Sequence, residues 1–258
     1  MKQTFYKYQG TGNDFVIIDN RQEYFDKNDT KRIKFLCDRR FGIGADGLIL
    51  LENHDEVDFK MIYFNADGNQ SSMCGNGGRC IVAFAKHLEI VNDKATFEAV
   101  DGIHHATIGG DEVRLQMQDV NQILKFNAHV FLDTGSPHHV EFRDDLMNLD
   151  IKNAGAKIRY GSLYNEDGSN VNFVSKVNND IFSVRTYERG VEDETLSCGT
   201  GVTAVALAMH FIGETENDLV TLKTEGGDLK VSFNKIGDTY TNVWLIGPVK
   251  QVYKGEIV

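Results

Sequence analysis

Ser197-Cys198-Gly199-Thr200-Gly201 runs directly into Val202-Thr203-Ala204-Val205-Ala206-Leu207-Ala208-Met209, and the same arrangement has already occurred once, at Met73-Cys74-Gly75-Asn76-Gly77-Gly78-Arg79 followed by Cys80-Ile81-Val82-Ala83-Phe84-Ala85. Each copy reads as a cysteine at the N-terminus of an apolar helix, with glycines where the helix begins. The two cysteines stand 124 positions apart in a chain of 258 residues, close to half its length. Two similar halves, each presenting one thiol, are the natural reading.

Other landmarks keep the same register. Asn13 precedes Cys74 by 61 positions, and Ser136 precedes Cys198 by 62. Asp46 and Asn170 each precede their cysteine by 28, Asn65 by nine and Glu188 by ten. Around them lie short apolar runs of strand length: Phe15–Asp19, Leu48–Leu51, Phe59–Phe64, then Val171–Val174 and Phe182–Tyr187. After each apolar helix comes a strand meander broken by glycines, at 95–117 and 219–245. Lys31–Arg40 reads as a helix capped by Asp29 or Thr30, with Cys37 on its core face. Val202 to Phe211 is apolar almost all round, as a helix enclosed by a sheet should be. The fold class predicted is therefore α+β: two pseudo-symmetric domains, each a curved, mostly antiparallel sheet around a central helix, with the active site in the cleft between them. The domains are set at 1–122 and 123–258, and the final strand, Val252–Val258, is expected to return to the first.

Composition sets the outer limits. A hydrophobic fraction of 41% and a charged fraction of 25% are those of a globular protein with a full core. A net charge of -11 argues against a nucleic-acid partner, and no apolar run is long enough to span a bilayer. The N-terminal residues lack the apolar stretch of a signal peptide, and the expected location is cytoplasmic. Four cysteines without a C-x-x-C pair are then expected as reduced thiols, with no metal site among them. Gly42-Ile43-Gly44 is not a dinucleotide fingerprint, because a helix precedes it and a strand follows.

A thiol at a helix N-terminus is poised to ionise, and the glycines leave backbone N–H groups open to an anion. Two such thiols on opposite faces of one carbon can remove a proton from one face and deliver one to the other, which is two-base racemisation or epimerisation. The N–H groups of Gly75-Asn76 and Gly199-Thr200 suit an α-carboxylate and its developing carbanion. Asn13, Asn65, Asn170 and the pair Glu188-Arg189 end or follow strands and suit a zwitterion, Arg189 toward a carboxylate and Glu188 toward an ammonium. His138 lies on the loop matching Asn13, where it either tunes a thiol or holds the loop. Asp14 and Asp46 receive no role. No pyridoxal phosphate lysine and no metal constellation is evident, so no cofactor is expected.

At these residues the chain resembles the diaminopimelate epimerase family. The resemblance is carried by Gly12-Asn13-Asp14-Phe15, Phe64-Asn65-Ala66-Asp67-Gly68, Met73–Cys80, Tyr187-Glu188-Arg189-Gly190 and Glu194–Gly201, and it extends over essentially the whole chain. It implies a two-domain, cofactor-free homodimer that interconverts LL- and meso-2,6-diaminopimelate for lysine and peptidoglycan precursors. It implies Cys74 and Cys198 as the acid–base pair, Asn13, Asn65, Gly75, Asn76, Asn170, Glu188, Arg189, Gly199 and Thr200 as substrate contacts, and His138 as a supporting group. Two positions depart from the family pattern. Ser136 stands where many members carry Asn, which implies a shortened or water-mediated contact, and Gly47 stands where some carry Gln, which implies a missing one. A proline or hydroxyproline racemase-like enzyme is the nearest alternative, although such proteins typically carry His where this chain has Asn76. Phenazine-pathway-like isomerases of related fold usually lack the cysteine pair. A non-catalytic redox or binding protein, with a Cys74–Cys198 disulfide, is the alternative of a different class.

Overall fold

The computed structural model describes residues 3–257. Its elements are, in order, β1 (Gln3–Gly10), β2 (Asn13–Asp19), α1 (Thr30–Cys37), β3 (Gly47–Glu52), β4 (Phe59–Asn65), α2 (Gly75–His87), β5 (Lys94–Ala99), β6 (Gly102–Gly109) and β7 (Glu112–Gln116). There follow β8 (Ile123–Lys125), β9 (Val130–Asp133), β10 (Pro137–Phe142), α3 (Ile151–Arg159), β11 (Asn170–Lys176), β12 (Ile181–Glu188), β13 (Asp193–Thr195), α4 (Gly199–Phe211), β14 (Leu219–Thr224), β15 (Gly227–Ile236), β16 (Thr239–Pro248) and β17 (Lys250–Ile257).

The chain forms two compact units, Met1–Leu115 with Gly247–Val258, and Gln116–Ile246. These bounds differ from 1–122 and 123–258. The stretch after β7 belongs to the second unit because Val120 bridges Tyr240 and the Met117 N–H bonds Val243 O. The final strand belongs to the first, where β17 runs antiparallel to β1 from Gln3↔Ile257 to Gln9↔Lys250. Val258, at the end of the strand read from sequence, lies outside the described residues.

The two units share one wiring plan. In the first, β1–β2 is antiparallel, β2–β3 parallel, β3–β4 antiparallel, β4–β5 parallel, and β5–β6–β7 an antiparallel meander. In the second, β9–β10, β10–β11, β11–β12, β12–β14 and β14–β15–β16 repeat that sequence of orientations. A parallel pair needs a crossover, and the four helices supply them: α1 and α2 in the first unit, α3 and α4 in the second. The sheets are thus mostly antiparallel, with a parallel pair at each crossover.

Period-two alternation puts one helix on each face of the sheet. Val16, Ile18, Leu48 and Leu50 pack with Ile33, Leu36 and Cys37 of α1, while Ile49 and Met61 lie against the start of α2. In the second unit Val171, Phe173 and Tyr187 pack with Ile151 of α3, whereas Val140 and Val174 face the core around α4. Val202 and Ala204–Met209 are almost completely buried, so this helix is enclosed on every side.

Local chemistry sets the ends of the outer helices. The Asp29 carboxylate accepts the Arg32 N–H and Asp150 accepts that of Asn153. Helix α1 stops at Cys37, three residues before Arg40, because the Asp38 carboxylate takes the N–H groups of Arg40 and Phe41 and turns the chain. Helix α3 presses its Gly155 onto Tyr187, where a Cβ would lie 2.3 Å from the tyrosine Cβ. We expect Gly155→Ala to lower the urea midpoint, because overpacking of about 1–3 kcal/mol exceeds the gain in helix propensity of about 1 kcal/mol.

Candidate active site

Cys74 is the residue before α2, in extended conformation (φ -102°, ψ 123°), and its side chain makes no capping bond. The first helical bond runs from Gly78 N–H to Cys74 O. The N–H groups of the leading turn therefore point past the thiol, at the positive end of the helix. Gly77 allows this start to press onto the sheet: a Cβ there would sit 3.2 Å from Ile49 Cδ1 and 3.5 Å from Cys74 Cβ.

Asn13 reaches the thiol from β2. Thr11 (φ 49°) and Gly12 (φ 83°) form the two-residue left-handed turn between Gly10 and Asn13, which delivers Asn13 at the strand's first position. Its Oδ1 lies 3.5 Å from Cys74 Sγ and accepts Asn76 Nδ2 at 3.3 Å, while its Nδ2 donates to Asp46 Oδ2 at 2.7 Å. Arg39 clamps both carboxylates, at 2.7 Å to Asp14 and 2.6 Å to Asp46, and Lys7 reaches Asp14 at 2.8 Å. Burial pushes the Asp14 carboxyl up, but the Arg39 and Lys7 hydrogen bonds and charges outweigh it and hold it at about 2. On the helix, the fully buried Arg79 donates Nη2 to Asn76 Oδ1 at 2.5 Å and to Thr11 Oγ1 at 3.4 Å. Burial lowers its pKa to about 10, so it remains a cation at neutral pH.

Cys198 occupies the same position before α4 (φ -117°, ψ 115°), again with no side-chain cap. Its Sγ is 3.5 Å from Thr200 Oγ1, which is 3.3 Å from Ser136 Oγ. Ser136 lies 3.0 Å from His138 Nε2 and accepts Asn170 Nδ2 at 3.2 Å. On the far side of the imidazole, Asn172 Nδ2 is 3.1 Å from His138 Nδ1. Alternation explains the grouping, since Asn170 and Asn172 share a face of β11 with Val174, and His138 shares a face of β10 with Val140. Burial, with the nearby Arg189 charge, lowers the His138 pKa to about 3, so this imidazole is neutral.

The first unit thus joins Cys74, Asn13 and Asn76, and the second joins Cys198, Thr200, His138 and Asn170. Asn170 Oδ1 accepts the Arg189 N–H at 2.9 Å, and the Arg189 guanidinium donates to Asp167 O. Glu188 ends β12 and accepts the Thr195 hydroxyl at 2.9 Å. Asn65 is exposed at the end of β4 and closes its turn through backbone bonds to Asn69 and Gly68. Gly47 has no room for a longer residue, because a Cβ would lie 2.5 Å from both Phe64 O and the Tyr63 ring. Sequence reading gave Asp14 and Asp46 no role and did not single out Arg39, Arg79 and Asn172. Asp46 shares with Asn170 a spacing of 28 from its cysteine, and Asn172 lies two positions from Asn170 on the same strand.

The architecture is shared with solved structures of very different sequence. A phenazine biosynthesis protein of the PhzF family from Bacillus anthracis superposes with a TM-score of 0.80 at 11% identity, covering 100% of this chain and 99% of that one. A hydroxyproline epimerase from Agrobacterium vitis, with bound trans-4-hydroxy-L-proline, gives 0.69 at 12% identity, covering 99% and 92%. Such likeness establishes the α+β two-domain fold. Sequence then separates the chain from these neighbours: it belongs to the diaminopimelate epimerase family, whose profile matches residues 5–123 and 130–252. A diaminopimelate epimerase from Flavobacterium psychrophilum is 59% identical over 98% of this chain and 99% of its own length. One from Chlorobaculum tepidum is 45% identical over 96% and 98%.

Two outcomes follow from the geometry. His138 titrates near 6.5 when unfolded and near 3 when folded. The unfolded state therefore binds the extra proton below pH 6.5, and stability falls as pH drops from there, by about 1 kcal/mol per pH unit, levelling off near pH 3. Denaturant midpoints of wild type and His138→Asn across that range should show the variant with the shallower slope. Gly201→Ala would place a Cβ 2.5 Å from Asn172 Oδ1. Loss of catalytic rate by about tenfold, with far-UV circular dichroism preserved, is expected from the displaced Asn172–His138 pair.

Proposed function

We propose that this protein interconverts LL- and meso-2,6-diaminopimelate by two-base proton transfer, with Cys74 and Cys198 as the acid–base pair and no cofactor. The observation that carries this reading is the repeated site: each unit places one free thiol before a crossover helix, followed by a glycine-rich first turn. One sulfur takes the proton from the α-carbon as thiolate, and the other, as thiol, gives its proton to the opposite face. The carbanion between these events needs charge stabilisation. The N–H groups of Gly75-Asn76 and Gly199-Thr200 provide it by holding the α-carboxylate at two positive helix ends. Asn13, Asn65, Asn170, Glu188 and Arg189 hold the distal amino-acid end, whose carboxylate and ammonium match their donors and acceptors. His138, neutral and buried, is a positioning group.

The reading extends to the setting. Family membership supports a role in lysine and peptidoglycan precursor synthesis, four free thiols suit a reducing, cytoplasmic compartment, and the exposed Val252 and Tyr253 of β17 offer apolar surface to a second copy in a homodimer.

Incubation with diaminopimelate in D₂O under reducing conditions tests the chemistry. Wild type should bring deuterium onto the α-carbon while equilibrating the isomers, with no added cofactor. Cys74→Ala and Cys198→Ala should each lower epimerisation by at least about a hundredfold. Undiminished turnover in both variants would sink the two-thiol mechanism, and racemisation of proline in place of diaminopimelate would sink the substrate.

A further inference from the structure

Arg79 is a buried cation that the chemistry above leaves without a task. Its side chain is 0% exposed and stands in the second turn of α2, five residues after Cys74. Helical side chains lean toward the N-terminus, and this one lies back along the first turn. Nη2 donates to Asn76 Oδ1 at 2.5 Å and to Thr11 Oγ1 at 3.4 Å, and Nη1 donates to Pro248 O at 3.4 Å. Gly10 makes the room, since a Cβ there would lie 3.3 Å from Nη2. All of these acceptors are neutral, and Nε makes no hydrogen bond among the described residues.

The carboxylates of the same unit's site have other partners. Asp14 contacts Lys7 at 2.8 Å and Arg39 at 2.7 Å, and Arg39 also holds Asp46 at 2.6 Å. Two cations thus meet two carboxylates, and no described carboxylate is in ion-pair contact with Arg79. Taking a cation out of water without a counter-ion is costly. The shared wiring plan does not demand it. Five residues after Cys198 the second unit has Thr203, fully buried like Arg79, whose hydroxyl bonds back to Gly199 O. A small neutral side chain therefore suffices for the packing at this point, and the charge belongs to the chemistry of the first unit.

We infer that Arg79 is a positioning residue for the proposed reaction: its charge, fixed beside the first turn of α2, stabilises the negative charge that grows on the substrate's α-carboxylate as the Cα–H bond breaks. The inference rests on the diaminopimelate reading above and adds the protein charge that the carbanion faces.

When the α-proton passes to sulfur, the electron pair of the C–H bond spreads into the carboxylate, which then carries a second negative charge. The proton delivered to the opposite face forms a new C–H bond with that pair, and the extra charge disappears. Attraction to a fixed cation is therefore strongest between the two proton transfers. An interaction that strengthens there raises kcat more than it lowers KM. Contact is not required, because burial keeps the dielectric around the guanidinium low. The bonds to Asn76, Thr11 and Pro248 hold the charge in place, so it need not reorganise during the reaction.

Variants of the full-length protein that separate charge from packing test this role. Arg79→Gln keeps a donor for Asn76 and loses the charge, Arg79→Met keeps apolar bulk alone, and Arg79→Lys keeps the charge. With diaminopimelate at neutral pH, the Gln and Met variants should lose at least about tenfold in kcat, with KM changed by less than about threefold. The Lys variant should keep most of its kcat at mildly acidic pH and lose it, relative to wild type, as alkaline pH strips the buried ammonium of its proton. The urea midpoint of the Gln variant should match or exceed that of wild type, because a buried, unpaired charge has been removed. Wild-type kcat in the Gln and Met variants, or Lys and Gln variants equally impaired at every pH, would overturn the inference. So would neutral variants that fail to fold or unfold at clearly lower urea, since the cation would then be a requirement of the structure. A wild type that leaves diaminopimelate unchanged would instead refute the function proposed above, and the urea midpoints are read without it.

Discussion

A helix whose N-cap residue has no side-chain oxygen lacks the usual side-chain cap for its leading N–H groups, and that constraint is met twice in this molecule. Serine or aspartate before α2 or α4 would bond back to the helix and close its end. Cysteine leaves it open, and glycines keep side chains out of the way. The same helices are nearly enclosed in their sheets, so their open ends are held by packing, with Val202 and Ala204–Met209 buried to within about a hundredth of their surface.

Within a shared plan the units have diverged in the chemistry beside the sulfur. The first surrounds it with amides strung between a buried guanidinium and a clamped carboxylate pair. The second uses two hydroxyls and a neutral imidazole. At the helix position equivalent to Arg79, the second unit has Thr203, whose hydroxyl bonds back to Gly199 O. A duplicated scaffold thus supplies two equivalent positions, and different side chains surround the sulfur at each.

Much of this was legible in the chain because its signals are local. Glycines after each cysteine, the apolar run of Val202–Phe211 and the turn residues at the strand ends report on their own surroundings. The common register of Asn13 with Ser136 and of Asp46 with Asn170 reflects the equivalent parallel pairs β2–β3 and β10–β11. What stayed hidden depends on distant partners. Asn13 meets Cys74 across 61 positions and Ser136 meets Thr200 across 64. Arg79 was passed over because an arginine seldom lies wholly buried. Helix α3 escaped notice because Gly155 and two lysines interrupt its apolar pattern, although Asp150 marks its start.

The pairing of β17 with β1 also orders events in time. In the second unit β9 finds its outer neighbour, β8, a few residues away. In the first, β1 is joined by a strand that lies beyond the whole of Gln116–Ile246. On a ribosome the second unit has all of its strands before β17 has emerged, while the outer edge of β1 stands open through the synthesis of more than half the chain. An unpaired strand edge invites association with other chains. The alternation of Lys7 and Tyr8 along β1, and the bulge opposite them, thus fall on the segment that stays exposed longest during biogenesis.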